Sequence, residues 1–180
     1  MTLSRKQLEA HWMPFTGNRQ FKDNPRLMAS AKGAYYTDVD GNKIFDGLSG
    51  LWTCGLGHGR EEITAAVSAQ IAKLDYSPGF QYGHEQSFEL ANKVVQLTPE
   101  KLDHVFFTDS GSETIDTALK MARGYWRSKG QPGKSKFIGR MKGYHGVNFG
   151  GIGVGGIGFN RKIFGQTIEA DHISDTLLEE

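Results

Sequence analysis

Between residues 104 and 127 the sequence reads His-Val-Phe-Phe-Thr-Asp-Ser-Gly-Ser-Glu-Thr-Ile-Asp-Thr-Ala-Leu-Lys-Met-Ala-Arg-Gly-Tyr-Trp-Arg. Ser110, Gly111 and Ser112 stand where an apolar β-type run gives way to an amphipathic segment, and residues so placed can bind an anion. The first amides of a helix have no intrahelical partner, and the helix dipole favours negative charge beside them. Gly111 allows close backbone approach, and the hydroxyls of Ser110 and Ser112 can donate. This chemistry suits a phosphate-bearing small molecule. An ordinary turn with a capping serine uses the same residues, so the motif alone leaves both readings open.

Some thirty residues on, Gly143-Tyr144-His145-Gly146 makes a glycine-bracketed loop after the strand-like run Ser135-Lys-Phe-Ile-Gly-Arg140. Two strands separated by a helix read as a right-handed βαβ unit with a parallel sheet. Both loops then open on one sheet edge, where open α/β sheets bind ligands. Tyr144 and His145 are thereby expected close to the Ser-Gly-Ser turn. An aromatic ring beside a phosphate site suits a phosphorylated aromatic cofactor. The alternative is an ordinary half-buried Tyr-His loop pair.

The elements that must position these residues follow from periodicity. Ile115, Ala118, Leu119, Ala122, Tyr125 and Trp126 recur at spacings of three and four, which predicts a helix from the Ser-Gly-Ser turn onward, capped by Ser110 or Ser112. Glu113 and Asp116 lie early in it and Lys120, Arg123 and Arg127 late, as the dipole prefers. Further helices are predicted over residues 4–11, 60–74 and 85–97, the last ending before Pro99. A hairpin is predicted over residues 34–38 and 43–46 around Asp40-Gly41-Asn42. The tract from Gly150 to Gly158 contains Gly-x-Gly-x-x-Gly twice, but it follows a poor strand and its six glycines make a helix costly. It reads as a mobile or closely packed loop rather than a dinucleotide fingerprint.

Composition bounds the rest. Apolar residues make up 38% of the 180 and the net charge is +1, so neither nucleic acid nor an anionic membrane is an evident partner. No run reaches the ~18–20 apolar residues of a membrane span, and the N-terminus has no apolar signal-peptide core. The single cysteine, Cys54, excludes an internal disulfide and suits a reducing, cytoplasmic compartment. The six histidines have no metal-ligand spacing, so no metal site is expected.

Taken together, Thr108-Asp-Ser-Gly-Ser-Glu113 and Gly143-Tyr-His-Gly146 resemble the pyridoxal 5'-phosphate site of the subgroup III (ω-) aminotransferases. His11-Trp-Met-Pro-Phe15, Asp40-Gly-Asn-Lys-Ile-Phe-Asp46, Leu48-Ser-Gly-Leu-Trp-Thr-Cys-Gly-Leu-Gly-His58 and Leu74-Asp-Tyr-Ser-Pro-Gly-Phe-Gln-Tyr-Gly-His84 agree with that family in order. The resemblance runs from about residue 10 to 166. Within the family the likeness is greatest to the branch that moves amino groups from ω-amino acids such as β-alanine to pyruvate.

The resemblance implies an α/β fold, that of the fold type I pyridoxal-phosphate-dependent transferases. Residues 1–60 would be an N-terminal segment contributing to the small domain, and 61–180 the first part of the large domain with its mainly parallel sheet. Gly111 and Ser112 would hold the cofactor phosphate, Ser110 shaping the turn. Tyr144 would stack on the pyridine ring and His145 would support its loop. Phe15, Trp52 and Phe80 would line the substrate pocket. Core packing is the alternative for Phe15 and Trp52, and Tyr76 or Tyr82 could replace Phe80.

Transamination also needs a Schiff-base lysine and an acid paired with the pyridine nitrogen. The family draws both from later motifs that these residues lack. They are expected beyond residue 180, no catalytic residue is assigned within the chain, and the chain reads as an inactive N-terminal portion of a longer enzyme. The partners implied are a small-molecule amino donor, a keto acid acceptor and further copies of the protein, as a homodimer or dimer of dimers. Other readings are an ornithine or diamine aminotransferase, an aminomutase, or a non-catalytic binding protein on the same fold.

Overall fold

The N-terminal residues build short elements tied by polar side chains. In the computed structural model, which describes residues 3–165 and 167–177, helix α1 (Arg5–Glu9) is followed by α2 (Asn18–Asp23). Lys22 donates to the Glu9 carbonyl at 3.0 Å, and Arg5 pairs with both Glu9 and Asp23. Strands β1 (Met28–Lys32), β2 (Tyr35–Asp38) and β3 (Lys43–Phe45) form an antiparallel sheet in that order. The β2–β3 turn falls where Asp40-Gly41-Asn42 predicts it. Asp38 accepts from the amides of Asp40 and Asn42 at 3.0 and 2.8 Å, and Gly41 takes φ 86°. A single irregular turn, α3 (Ser49–Trp52), leads to helix α4 (Glu61–Lys73). These elements belong to the first of two compact units, Met1–His84.

The second unit, Glu85–Glu180, contains α5 (Glu85–Val95), α6 (Gly111–Ser128), β4 (Phe137–Arg140), α7 (Phe149–Val154), α8 (Gly158–Phe164) and β5 (Ala170–Ile173). Strands β4 and β5 pair in parallel, Phe137 opposite Ala170 and Arg140 opposite Ile173. Lys136 at the start of this ladder bridges Glu169 at 3.1 Å and Asp171 at 3.5 Å.

Two expectations are corrected. The run from His104 to Asp109 forms no ladder among the described residues, and β4 pairs with β5 across α7 and α8 rather than with that run across α6. Apolar β-type sequence supplies strand propensity, but a strand exists only where a neighbouring edge accepts its hydrogen bonds. The second correction concerns the glycine tract, where a helix, α7, forms over Phe149–Val154. Gly151, Ile152, Gly153 and Val154 are all buried there. A side chain at Gly139 would overlap the Val154 carbonyl oxygen, and one at Gly151 would overlap that of His145. Close backbone packing of this kind outweighs the ~1 kcal/mol that each interior glycine costs a helix.

Elsewhere the amphipathic faces are covered only in part. Ile152 and Val154 are the buried apolar side chains among the described residues, and α4, α5 and α6 contain no buried residue. The accessible surface is 15138 Å², whereas two separate compact domains of half this mass would expose roughly 10,400 Å² together. The stripe of α4 (Ile63, Val67 and Ile71) therefore stays exposed, while that of α6 is half-covered at Ile115, Leu119 and Trp126, and α7 approaches it at Asp116 and Leu119.

Candidate functional site

Helix α6 starts at the Ser-Gly-Ser turn. Ser110 is its N-cap, with extended backbone and Oγ accepting from the Glu113 amide at 3.1 Å. Glu113 in turn accepts from the Asp109 amide at 3.1 Å, and the Thr108 and Thr114 hydroxyls meet at 2.5 Å. The cap thus falls to Ser110, which frees Ser112 for a longer-range contact. Its Oγ accepts from the Val147 amide at 3.0 Å, thirty-five residues away.

The Gly143–Gly146 loop docks on the turn through that bond. Gly146 has φ 96°, and a Cβ there would lie 2.7 Å from Ser112 Cα, so only glycine fits both the backbone and the contact. One helical turn along, Asp116 accepts from the Gly151 amide of α7 at 3.0 Å. The turn, the Tyr-His loop and the start of α7 form one hydrogen-bonded cluster. Among the described residues the amides of Gly111 and Ser112 have no acceptor, and a Cβ on Gly111 would meet nothing within 4 Å. Tyr144 is exposed and His145 half-buried.

In the first unit Phe15, Phe80 and Trp52 are 92%, 85% and 81% exposed, and no ring contact joins them. Tyr76 and Tyr82 are nearly as exposed, so exposure does not choose between them and Phe80. Backbone conformation does not choose among these three either, since none of them is left-handed, but it does mark other positions. Among the described residues the left-handed non-glycine positions are Phe15, Ser49, Leu51, Trp52, Gln81, Lys101 and Lys142; the first five lie inside the quoted motifs and Lys142 directly precedes Gly143. Such backbone costs ~1–2 kcal/mol per residue and persists where surrounding bonds over-determine it.

Sequence reasoning gave no role to the residues that do so at α3. Asp46 accepts from the Gly50 amide at 2.7 Å, the Leu48 amide at 3.2 Å and His58 Nε2 at 2.7 Å. The two side chains are nearly buried, His58 13% and Asp46 7% exposed. The Tyr36 ring lies 4.6 Å from the His58 ring. The His58 hydrogen bond holds the Asp46 carboxyl below the usual carboxylate range, against the opposing effect of burial. Burial first, and the Asp46 charge second, push the Tyr36 phenol up. The one sequence signal was that Asp46 and His58 each end a conspicuous motif.

Among the described residues no cluster of three or more His, Cys, Asp or Glu could hold a metal ion, and no helix is long and apolar enough to cross a membrane.

Comparison with known proteins gives this geometry a family. The chain is similar to the β-alanine–pyruvate aminotransferase of Pseudomonas aeruginosa, 59% identical over 174 residues, covering 97% of this chain and 39% of that protein. It is 58% identical over 176 residues to the ω-amino acid–pyruvate aminotransferase of Pseudomonas putida, with the same coverage. Among solved structures, a transaminase from the marine bacterium Virgibacillus superimposes with a TM-score of 0.88 at 35% identity, over 93% of this chain and 39% of that one. An amine transaminase from an uncultivated Pseudomonas species, solved in its PLP-bound form, gives 0.85 at 36% identity, over 91% and 38%. The chain thus spans about 39% of the length of the curated relatives it matches. Its α/β architecture is that of the corresponding part of these fold type I transaminases. Residues 16–172 match the model of aminotransferase class-III, and the chain belongs to that family.

Proposed function

We propose that this chain is part of a pyridoxal-phosphate-dependent aminotransferase that moves the amino group of an ω-amino acid or amine, such as β-alanine, to a keto acid such as pyruvate. The observation that carries this reading is the docking of the Gly143–Gly146 loop on the Ser110–Ser112 turn, through Val147 and Ser112 at 3.0 Å. The curated relatives support the choice of substrates.

The turn fits the cofactor's phosphate. Two amides without acceptors, Gly111 and Ser112, head an eighteen-residue helix, and nothing crowds Gly111. Ser112 Oγ accepts from Val147 and keeps its own proton to donate to a phosphate oxygen. In this reading Gly111 and Ser112 bind the phosphate and Ser110 fixes the turn as its cap. Tyr144 covers one face of the pyridine ring and excludes water from it, and His145 supports that loop. Phe15, Trp52 and Phe80 supply an apolar wall for the substrate's carbon chain. When bound, the cofactor supplies the electron sink that weakens the C–H bond beside the amino group.

The Schiff-base lysine and the acid facing the pyridine nitrogen belong, in this reading, to sequence after Glu180. Residues 1–60 then contribute to the small domain and 61–180 begin the large one. The exposed apolar residues of α4, α5 and α6, such as Ile63, Val67, Phe88, Leu90 and Met121, suit burial against that later sequence and a second copy in a homodimer, in the cytoplasm. The test is product formation. The full-length protein supplied with pyridoxal phosphate, β-alanine and pyruvate should release alanine, and should not without β-alanine. No alanine under these conditions would reject the reading.

A further inference from the structure

The turn α3 has four successive left-handed residues, Ser49, Gly50, Leu51 and Trp52, with φ of 50°, 60°, 58° and 70°. Three of them carry side chains that disfavour this backbone. Its internal bonds run from Trp52 to the Leu48 carbonyl (2.9 Å), from Cys54 to that of Ser49 (2.8 Å) and from the Thr53 hydroxyl to that of Gly50 (2.7 Å). The external clamp is Asp46, which takes the Leu48 and Gly50 amides. Asp46 is fixed by His58, and His58 is fixed to the sheet by reciprocal backbone bonds with Gly33 of 2.9 and 2.8 Å. The Trp52 side chain, 81% exposed, has no ring contact of its own. The backbone that Asp46 and His58 hold therefore fixes the point and the Cα–Cβ direction from which it projects.

We propose that Asp46 and His58 are positioning residues for substrate selection: their 2.7 Å pair locks the left-handed turn and so fixes where Trp52 stands. This rests on the reading of Trp52 as a wall of the substrate pocket. A wall displaced by a relaxed turn changes which carbon skeletons fit and leaves the phosphate cluster of α6 untouched, since none of that cluster's bonds involves Asp46 or His58.

The test uses the full-length holoenzyme and reads the ratio of kcat/KM for β-alanine to that for benzylamine. His58→Leu removes the donor, and His58→Gln retains a nitrogen near the position of Nε2. His58→Leu should change the ratio about fivefold or more, and His58→Gln should restore it. Trp52→Ala should change the ratio by itself, and adding His58→Leu to it should change it no further. If His58→Leu does not fold, Asp46→Asn takes its place in the same cycle. An unchanged ratio, or an equal effect of His58→Leu with Trp52 intact and with Trp52→Ala, would overturn the proposal, because a merely structural residue lowers both substrates alike. The wild-type spectrum separates the two claims. No spectral response to β-alanine sinks the aminotransferase reading, whereas a normal response with an unchanged ratio sinks only this inference.

Discussion

Gly111→Ala separates a phosphate site from a plain capped turn. Gly111 is the first residue of α6, and an added Cβ meets nothing within 4 Å. Its φ is not in the left-handed range, so the substitution carries no backbone strain. Folding stability should hold or rise by up to about 1 kcal/mol, as for glycine-to-alanine changes in helices. A phosphate lying against the Gly111 and Ser112 amides would be lifted by the new methyl group. Each charge-assisted hydrogen bond lost costs ~1.5–3 kcal/mol, which is roughly a 10- to 150-fold loss of affinity per bond. Apo full-length protein titrated with pyridoxal phosphate, followed by visible absorbance, gives the Kd. Thermal unfolding of the same apo samples gives stability. Weaker binding with undiminished stability is the expected pair of results. Unchanged affinity would refute the placement of the phosphate, and equal losses in both would mean the methyl group disturbs the fold.

Three further outcomes follow from the same geometry. Ser112→Ala removes the acceptor of the Val147 amide, a tie of about 1 kcal/mol, so cofactor affinity should fall at least about fivefold and the Val147 amide should exchange faster with solvent; no change in either measurement would count against the docked loop. Gly139→Ala forces β4 away from the Val154 carbonyl and should destabilise the protein by about 1–3 kcal/mol in a denaturation curve, whereas wild-type stability would contradict the close packing of α7. Asp46, held below the ordinary carboxylate value by His58, contributes stability that is fully present above about pH 4 and is lost as pH falls through its lower folded value. Asp46→Asn should therefore show a flatter loss of stability on acidification below pH 4 than wild type, and parallel curves would remove the pair from the account.

The elements legible in the sequence were those specified by local pattern. Ile115, Leu119 and Trp126 mark α6, and Asp40-Gly41-Asn42 marks the β2–β3 turn, because spacing and turn chemistry act within a few residues. The proximity of the Ser110–Ser112 turn and the Tyr144–His145 loop was also legible, although the strand pairing invoked for it was not. The segment from His104 to Asp109 has strand composition and no ladder partner here, and pairing is a property of two segments. Helix α7 was hidden because Gly150, Gly151 and Gly153 argue against a helix locally. Their reason is the backbone and side chains they approach, at Asp116, His145, Thr167 and Ile168. The left-handed turn at Ser49–Trp52 was illegible for the opposite reason: three of its four residues are ones that local preference keeps out of that region, and the bonds that hold it come from Asp46 and His58.

The most direct measurement is the visible absorbance spectrum of the purified full-length protein during a titration with β-alanine and then pyruvate. A band near the visible edge should be lost as β-alanine is added and should return with pyruvate, because the amino group is taken up and passed on. A protein that binds pyridoxal phosphate but leaves the band unmoved by both substrates would contradict the account.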